Sequence, residues 1–96
     1  TALFCGNDQS AMSAISALSI NGFNIPNDIS VIGYDDMNIA RYTSPPLTTV
    51  CIPFNRMEVS ATRCLLNLCY NLELNIEYDF PIELIERLSV KKLPVQ

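Results

Sequence analysis

The segment that most constrains the fold is Ile29–Asp36, which reads Ile-Ser-Val-Ile-Gly-Tyr-Asp-Asp. Three of its first four residues are β-branched and apolar, and a glycine, a tyrosine and two carboxylates follow them. A near-continuous apolar run of this length is typical of a parallel strand that helices cover on both faces. The residues after the run are therefore predicted to lie at the carboxyl end of a strand, the edge where ligands bind in open α/β sheets.

A βαβ unit is predicted around this strand. Thr1–Cys5 is a short apolar run and predicts a preceding strand, which is broken by Gly6, Asn7 and Asp8. Apolar residues then recur at i, i+3, i+4 and i+7 across positions 9–21, which predicts an amphipathic helix. Asn7 or Asp8 is placed to cap its first turn. The crossover between the two strands is expected to be right-handed.

The second half of the chain predicts a third strand and a long helix. Leu47–Ile52 is rich in β-branched residues and predicts the strand, which Pro53 ends. Asn55 and Glu58 have the cap-x-x-Glu spacing that opens helices, so a helix of about 17 residues is expected from there. Its apolar stripe is predicted to lie in the core and comprises Met57, Ala61, Cys64, Leu65, Leu68 and Leu72.

Two shorter patterns complete the prediction. Residues 37–42 are expected to form one helical turn before the Pro-Pro loop. From Ile76 to Leu84 apolar residues alternate with charged ones, the pattern of a half-exposed strand, and Pro81 interrupts it. We expect a bend at this proline, with residues 83–90 continuing in an extended conformation.

Composition narrows the possible chemistry. Of the 96 residues, 49% are hydrophobic and 17% charged, which predicts a folded chain. Because the chain has no histidine, we expect no zinc site and no Ser-His or Cys-His nucleophile. Neither a metal nor a cofactor is expected. Glycosidase carboxylates must flank a bond from about 5 Å apart or more, so adjacent Asp35 and Asp36 suit capping and binding better than catalysis. The net charge of −4 argues against a phosphate-binding surface in this segment.

Cysteine usage and hydropathy bear on the compartment. The four cysteines have no C-x-x-C spacing, and three of them lie in apolar segments, so they are predicted to be reduced thiols in the core. No signal peptide is visible, and no apolar run approaches the ~20 residues of a membrane span. A cytoplasmic protein is therefore expected.

Polar and aromatic side chains follow each of the three predicted parallel strands. The strand ends fall at Gly6–Asp8, Tyr34–Asp36 and Ile52–Phe54, and parallel strands place such ends at one edge. Carboxylates accept hydrogen bonds from paired hydroxyls while aromatic faces cover C–H surfaces, so this edge could bind a neutral polyol. The alternative is that the amide and the carboxylates only cap the following helix and turn.

Four motifs resemble one family of proteins. Residues 1–9 (TALFCGNDQ), 25–42 (IPNDISVIGYDDMNIARY), 44–50 (SPPLTTV) and 81–90 (PIELIERLSV) are similar to the C-terminal third of LacI/GalR-family bacterial transcription regulators. Those regulators join an N-terminal helix-turn-helix headpiece to a two-lobed effector-binding core. The resemblance implies an α/β, parallel-sheet sandwich of the type I periplasmic-binding-protein-like class, of which this chain is the C-terminal part.

The resemblance also implies a division of the chain. Residues 1–52 and 80–96 would belong to the C-terminal lobe, and residues 53–79 would supply a helix and a strand to the other lobe. The chain would then cross between lobes near 51–53 and 79–81, which gives the break at Pro81 a reason. The DNA-binding headpiece would lie outside this chain.

Individual roles follow from the motifs that match. Asn7 and Asp35 would contact the effector, and Asp8 and Asp36 would cap the helix and the turn. Phe54 corresponds to an aromatic that lines some family pockets, and Ile52 stands where many members carry glutamine. The substitution removes a polar contact. Met12 and Tyr42 correspond to the core dimer interface; ordinary packing is the alternative for Met12.

These implications define the expected function. The chain would be the effector-sensing part of a homodimeric DNA-binding regulator, expected to be a repressor, that responds to a small sugar or nucleoside-like molecule. It would not be an enzyme, and it would reach DNA only through the headpiece. The alternative is a periplasmic sugar-binding transport protein of the same fold.

Overall fold

The computed structural model describes residues 1–95, which divide into two compact units. The first unit comprises Thr1–Cys51 together with the C-terminal segment from Glu83, and the second comprises Ile52–Ile82.

The first unit is a small α/β structure. Its regular elements are β1 (Ala2–Phe4), α1 (Asp8–Ile20), β2 (Ser30–Ile32), a short 3₁₀ helix (Asn38–Arg41), β3 (Thr49–Cys51) and β4 (Glu83–Ile85). Strands β1 and β2 pair in parallel, with Leu3 opposite Val31, and β3 pairs with β4 antiparallel. Isolated parallel bridges join Ile32 to Thr48 and Asp35 to Cys51, so β2 and β3 run in the same direction. The predicted βαβ unit and third parallel strand are confirmed.

The core of this unit lies where α1 meets β2 and the loop before β3. Its fully buried apolar residues are Ala11, Ile15, Val31, Ala40 and Leu47. Two of them are one helical turn apart on α1, as the periodicity predicts. The core side chains are small or medium in size, and the unit depends as well on buried polar contacts.

The strand predicted within Ile29–Asp36 is shorter than its apolar run. The strand ends at Ile32. Beyond it, only single backbone hydrogen bonds reach the β3 segment: Gly33 N donates to Thr48 O and Asp35 N to Val50 O, both at 2.9 Å. Ser89 occupies the gap between β2 and the β3 segment. Its hydroxyl donates to Val31 O at 2.6 Å and accepts from Thr48 N at 2.8 Å. Between Val31 O and Thr48 N, a side chain from the C-terminal segment thus takes the place of a direct backbone hydrogen bond.

The second unit consists of α2 (Phe54–Tyr70) and the segment that follows it. The helix has the predicted 17 residues, but the prediction that Asn55 caps it is wrong. Pro53 is the N-cap and makes no side-chain cap bond, so the helix begins before the Asn-x-x-Glu spacing. At the other end, Asn71 adopts the left-handed conformation (φ 53°), in which asparagine is second only to glycine as a helix-ending residue.

The apolar stripe of α2 is not buried in this chain, contrary to the prediction. Leu65 and Leu68 are 61% and 80% exposed, and only Ser60 of this helix is buried. The face of α2 that makes contacts is polar: Ser60 Oγ accepts from Glu77 N, Asn67 bonds Leu74, and Arg56 pairs with Glu77. The helix therefore holds the returning chain by hydrogen bonds, and its apolar stripe has no cover within residues 1–95.

Residues 71–82 form no regular element, so the strand predicted from Ile76 is wrong up to Ile82. Within the described chain, the second unit has no strand that could pair with residues 71–82. A segment with an alternating pattern forms a strand only when a neighbouring strand supplies its hydrogen-bond partners. Beyond Pro81 the predicted extended conformation is present as β4.

Two further predictions concern surfaces. The cysteines are free thiols, but none is fully buried: Cys5, Cys51 and Cys64 are half-buried and Cys69 is exposed. Neither helix within residues 1–95 is long and apolar enough to cross a membrane.

Candidate functional site

The loops that leave β1 and β2 lie side by side. Asp8 N donates to Tyr34 O at 2.9 Å, and, earlier in the same loop, Cys5 N donates to Ile32 O at the same distance. Both loops leave the carboxyl ends of parallel strands, which is the ligand-binding edge of this class of sheet. Asn7 and Asp35, the two predicted effector contacts of the first unit, are thereby placed on adjacent loops.

Asn7 is the N-cap of α1. Its backbone is extended (φ −157°), and its side-chain oxygen accepts a hydrogen bond from Ser10 N at 2.7 Å, so one unpaired amide of the first turn is satisfied. The capping alternative is therefore true of the oxygen. The side-chain NH₂ group makes no hydrogen bond within residues 1–95, and Asn7 is exposed. The residue can cap the helix and still donate to a ligand.

Asp8 does not cap α1, contrary to the prediction; it is the first helical residue and is completely buried. One carboxylate oxygen accepts from the Thr49 hydroxyl at 2.5 Å and the other from Met37 N at 2.7 Å. Its negative charge also lies at the positive end of the helix dipole. Asp8 therefore ties α1 to β3 and to the loop after β2.

Gly33 is required by this buried carboxylate. A Cβ atom at position 33 would collide with the Asp8 side chain and lie 2.9 Å from Leu47 Cδ2. The glycine of the Ile-Gly-Tyr-Asp-Asp motif thus provides space rather than an unusual backbone angle. Helix α1 can approach β2 closely only because this position has no side chain.

Asp35 and Asp36 both have positive φ angles, 112° and 52°. For residues other than glycine this conformation costs of order 1–3 kcal/mol each, so the surrounding structure must hold it. Asp35 N bonds Val50 O at 2.9 Å, and Asp36 N bonds the Thr49 hydroxyl at 3.3 Å. The strand edge is thus followed by a strained turn fixed to β3.

The Asp36 carboxylate forms a salt bridge and does not cap the following turn. Its Oδ1 is 2.7 Å from Arg87 Nη2, and the two side chains are 12% and 13% exposed. The 3₁₀ helix that follows has Met37 as its N-cap, with no side-chain cap bond, so the predicted capping role of Asp36 is wrong. In contrast, no hydrogen bond to the half-buried Asp35 carboxylate occurs within the described chain. Of this pair, Asp35 has its acceptor oxygens available.

The Asp36 charge also affects a neighbouring thiol. Burial and then repulsion by Asp36 raise the pKa of Cys51 above its ordinary value of 9.0. The thiol therefore stays protonated at neutral pH and is a poor nucleophile. No set of three His, Cys, Asp or Glu residues that could hold a metal ion occurs within residues 1–95.

The other predicted site residues lie outside the two loops that carry Asn7 and Asp35. Ile52 and Phe54 belong to the second unit, where Ile52 is half-buried and Phe54, the first residue of α2, is 45% exposed. In the first unit Met12 is half-buried on α1, and Tyr42, just after the 3₁₀ helix, is 79% exposed. Their effector and interface roles stay predictions.

Sequence reasoning missed Thr49, Arg87 and Ser89. Each side chain bonds a residue at least 13 positions away, so no local spacing identifies the partner. The alternation that runs from Ile76 to Leu84, continued to residue 89, places Arg87 and Ser89 on its polar side. The sequence pattern therefore gave no signal that these side chains are buried or half-buried.

The fold and the site edge together define a class of protein. A periplasmic-binding-protein-like core has the arrangement seen here: a parallel βαβ unit with polar loops at its carboxyl edge, a helix after the third strand, and an antiparallel strand where the chain returns. The model of the periplasmic binding protein-like domain matches residues 1–90.

Curated relatives and solved structures agree with this class. The chain is 43% identical over 94 residues to the HTH-type transcriptional repressor PurR of Vibrio campbellii, which is 97% of this chain and 28% of that repressor. A LacI-family regulator from Burkholderia phymatum superposes with a TM-score of 0.87 and 42% identity, over 96% of this chain and 34% of that one. A Lactobacillus casei LacI-family regulator with bound sucrose superposes with a TM-score of 0.82 and 33% identity, over 93% and 33%.

The chain belongs to the periplasmic binding protein-like domain family, and it is similar to regulators of the LacI family. It spans less than a third of the length of the curated relatives it matches.

Proposed function

We propose that this chain is part of the effector-sensing core of a DNA-binding transcription repressor, and that the effector is a small sugar or nucleoside-like molecule. One observation carries the proposal. At the carboxyl edge of β2, Asp36 is neutralised by Arg87 while the adjacent Asp35 carboxylate accepts no hydrogen bond within residues 1–95. An available carboxylate, on the loop adjacent to the one that carries the Asn7 amide, suits the paired hydroxyls of a polyol.

The relatives support both parts of the proposal. The curated relative reported above is a repressor, and the solved Lactobacillus casei regulator holds sucrose. A periplasmic transport protein, the alternative, has no support among them. A non-enzymatic, cytoplasmic protein is the corresponding expectation.

The division of the chain supports a two-lobed mechanism. We assign residues 1–52 and 80–96 to one lobe of the complete core and residues 53–79 to the other; the boundaries of the two compact units, at Cys51 and Glu83, support this. An effector that contacts both lobes favours one of their relative arrangements. It shifts DNA affinity only as far as its own affinity differs between those arrangements.

Ile52, at the end of the first lobe's segment 1–52, and Phe54, in the segment 53–79 of the other lobe, are assigned to the effector site. Phe54 would cover an apolar face of the effector, and Ile52 offers no hydrogen bond. The effector would therefore depend for polar contacts on Asp35 and Asn7 from this chain. DNA contact is assigned to another part of the polypeptide, because this chain has a net charge of −4.

The test is calorimetric titration of the complete polypeptide with glucose, sucrose, cellobiose, adenosine and guanosine. Asp35→Asn should weaken binding of the best probe at least tenfold, because charge-assisted hydrogen bonds contribute about 1.5–3 kcal/mol each. Glu73→Gln, which alters an exposed carboxylate after α2, is the control and should leave affinity unchanged.

Asn7→Ser separates the two roles of that residue. Serine keeps the N-cap but lacks the NH₂ donor, so the melting temperature should hold while affinity falls less than in Asp35→Asn. Wild-type affinity in folded Asp35→Asn would remove the proposed anchor.

A further inference from the structure

We propose that Arg87 is a positioning residue for effector recognition. Through Asp36 it holds the strained turn from which the Asp35 carboxylate extends. The proposal rests on the function proposed above, in which Asp35 is the polar anchor.

The turn needs an external restraint. Asp35 and Asp36 have φ angles of 112° and 52° in succession, and neither is glycine. Left to itself, such a dipeptide relaxes to negative φ, which would redirect the Asp35 side chain. Hydrogen bonds to β3 fix the backbone amides of Asp35 and Asp36, but these bonds do not fix the two side chains.

Arg87 supplies the restraint with three hydrogen bonds. Its Nη2 donates to Asp36 Oδ1 at 2.7 Å, its Nη1 to Leu47 O at 2.8 Å, and its backbone N to the Thr48 hydroxyl at 2.9 Å. The guanidinium thus bridges the turn and the loop before β3 with two nitrogens in one plane. A lysine ammonium has its donors on one nitrogen and is a compact point charge, so it cannot reproduce this planar fork.

Among residues 1–95, Arg87 is the only cation that hydrogen-bonds to this network. Asp8 is satisfied by a hydroxyl and a backbone amide, and the Thr49 hydroxyl lies between Asp8 and the Asp36 amide. Arg87–Asp36 is the one salt bridge of the first unit within residues 1–95. Pairing Asp36 with Arg87 also removes it as a competing acceptor beside Asp35.

A fixed turn favours binding, because any ordering of the protein that binding must impose reduces the binding free energy. A carboxylate whose backbone is already held presents its oxygens without that cost. Loss of the guanidinium fork should therefore reduce effector affinity even where the protein remains folded.

The experiment compares three variants of the complete polypeptide. Arg87→Lys keeps the charge, and the pair Asp36→Asn with Arg87→Met removes both charges so that no unpaired ion remains buried. Arg41→Lys, an exposed arginine of the same unit, is the control. Affinity for the best probe among glucose, sucrose, cellobiose, adenosine and guanosine is measured with the melting temperature and a crystal structure of the double variant.

We expect at least a tenfold loss of affinity in Arg87→Lys and in the double variant, unchanged affinity in Arg41→Lys, and an Asp35 φ that turns negative in the double variant. A melting temperature near wild type in the double variant separates positioning from simple destabilisation. Wild-type affinity in the folded double variant, or retention of both positive φ angles, overturns the proposal. If no probe binds the unaltered polypeptide, the proposed function fails, and the φ angles alone decide whether Arg87 holds the turn.

Discussion

At the scale of single residues, a glycine and a buried carboxylate are fitted to each other. Asp8 is fully buried, and the space for its carboxylate exists because Gly33 has no side chain. The sequence presents these two residues 25 positions apart, and nothing in their spacing links them.

Gly33→Ala should destabilise the protein by about 1–3 kcal/mol, the usual cost of overpacking. The added methyl would collide with the Asp8 side chain and lie 3.3 Å from Asp8 Cα. Relieving the second contact would require the backbone of α1 to move. Urea denaturation measures the change. Gly6→Ala is the matched control, since a Cβ there meets nothing within 4 Å. Equal effects of the two substitutions would contradict this account.

The Cys51 thiol should titrate above pH 9.0 in the folded protein, because burial and the Asp36 charge both disfavour the thiolate. Its contribution to stability is present below the unfolded pKa and is lost as pH rises through the folded one. The measurement is the pH dependence of iodoacetamide reaction in a variant whose other cysteines are alanine. The same variant unfolded in urea should titrate at the ordinary value, and an identical midpoint in both states would disprove the shift.

At the scale of elements, β2 and the β3 segment are joined by a serine from the chain's C-terminal segment. Ser89 is completely buried and bonds Val31 O and Thr48 N, while Val31 N bonds Ser89 O at 2.8 Å. The sheet edge that carries the site therefore depends on a segment 41 or more residues away in sequence.

Ser89→Ala should cost about 2–4 kcal/mol, because it leaves a buried amide and a buried carbonyl without partners. Thermal and urea unfolding of the variant measure the loss. Ser16→Ala, on an exposed position of α1, should change stability by less than about 0.5 kcal/mol. A loss no larger than this control would mean that water or neighbouring groups replace the hydroxyl.

At the scale of the whole molecule, the exposed stripe of α2 fits a chain that supplies part of a larger core. A unit of one helix and an irregular segment cannot cover both faces of that helix. In the complete core we expect the stripe to pack against elements of the second lobe.

Leu68→Ala should therefore destabilise the complete polypeptide by about 2–4 kcal/mol, the usual cost of truncating a buried leucine. Leu93→Ala is the control: both leucines are 80% exposed in this chain, but Leu93 lies in the C-terminal segment without regular structure. Chemical denaturation of the two variants decides the matter. If both are neutral, the stripe has no cover in the complete core.

In the homodimer that we predict for the complete polypeptide, Tyr42→Asp should shift the assembly toward monomer. Tyr42 is 79% exposed, and an unpaired carboxylate at a subunit interface is strongly unfavourable. Sedimentation velocity measures the assembly state, with Tyr42→Phe as a conservative control that should remain dimeric. An unchanged dimer in Tyr42→Asp would place the interface elsewhere and leave Met12 as a packing residue.

The sequence by itself determined the elements of this protein and the position of its polar loops. Periodicity predicted α1, α2 and the first three strands, because hydrophobic repeats and turn residues act over a few neighbouring positions. The motif Ile-Gly-Tyr-Asp-Asp placed two carboxylates at a strand end for the same local reason.

Only the tertiary structure decided which carboxylate is engaged and which is available. Asp36 meets Arg87 across 51 residues, and Asp8 meets Thr49 across 41. Such pairings depend on how strands and helices pack, so side chains with identical sequence signals acquire different partners. Burial of the α2 stripe was mispredicted for a related reason: periodicity identifies an apolar face, but the elements that cover it are set by the rest of the fold.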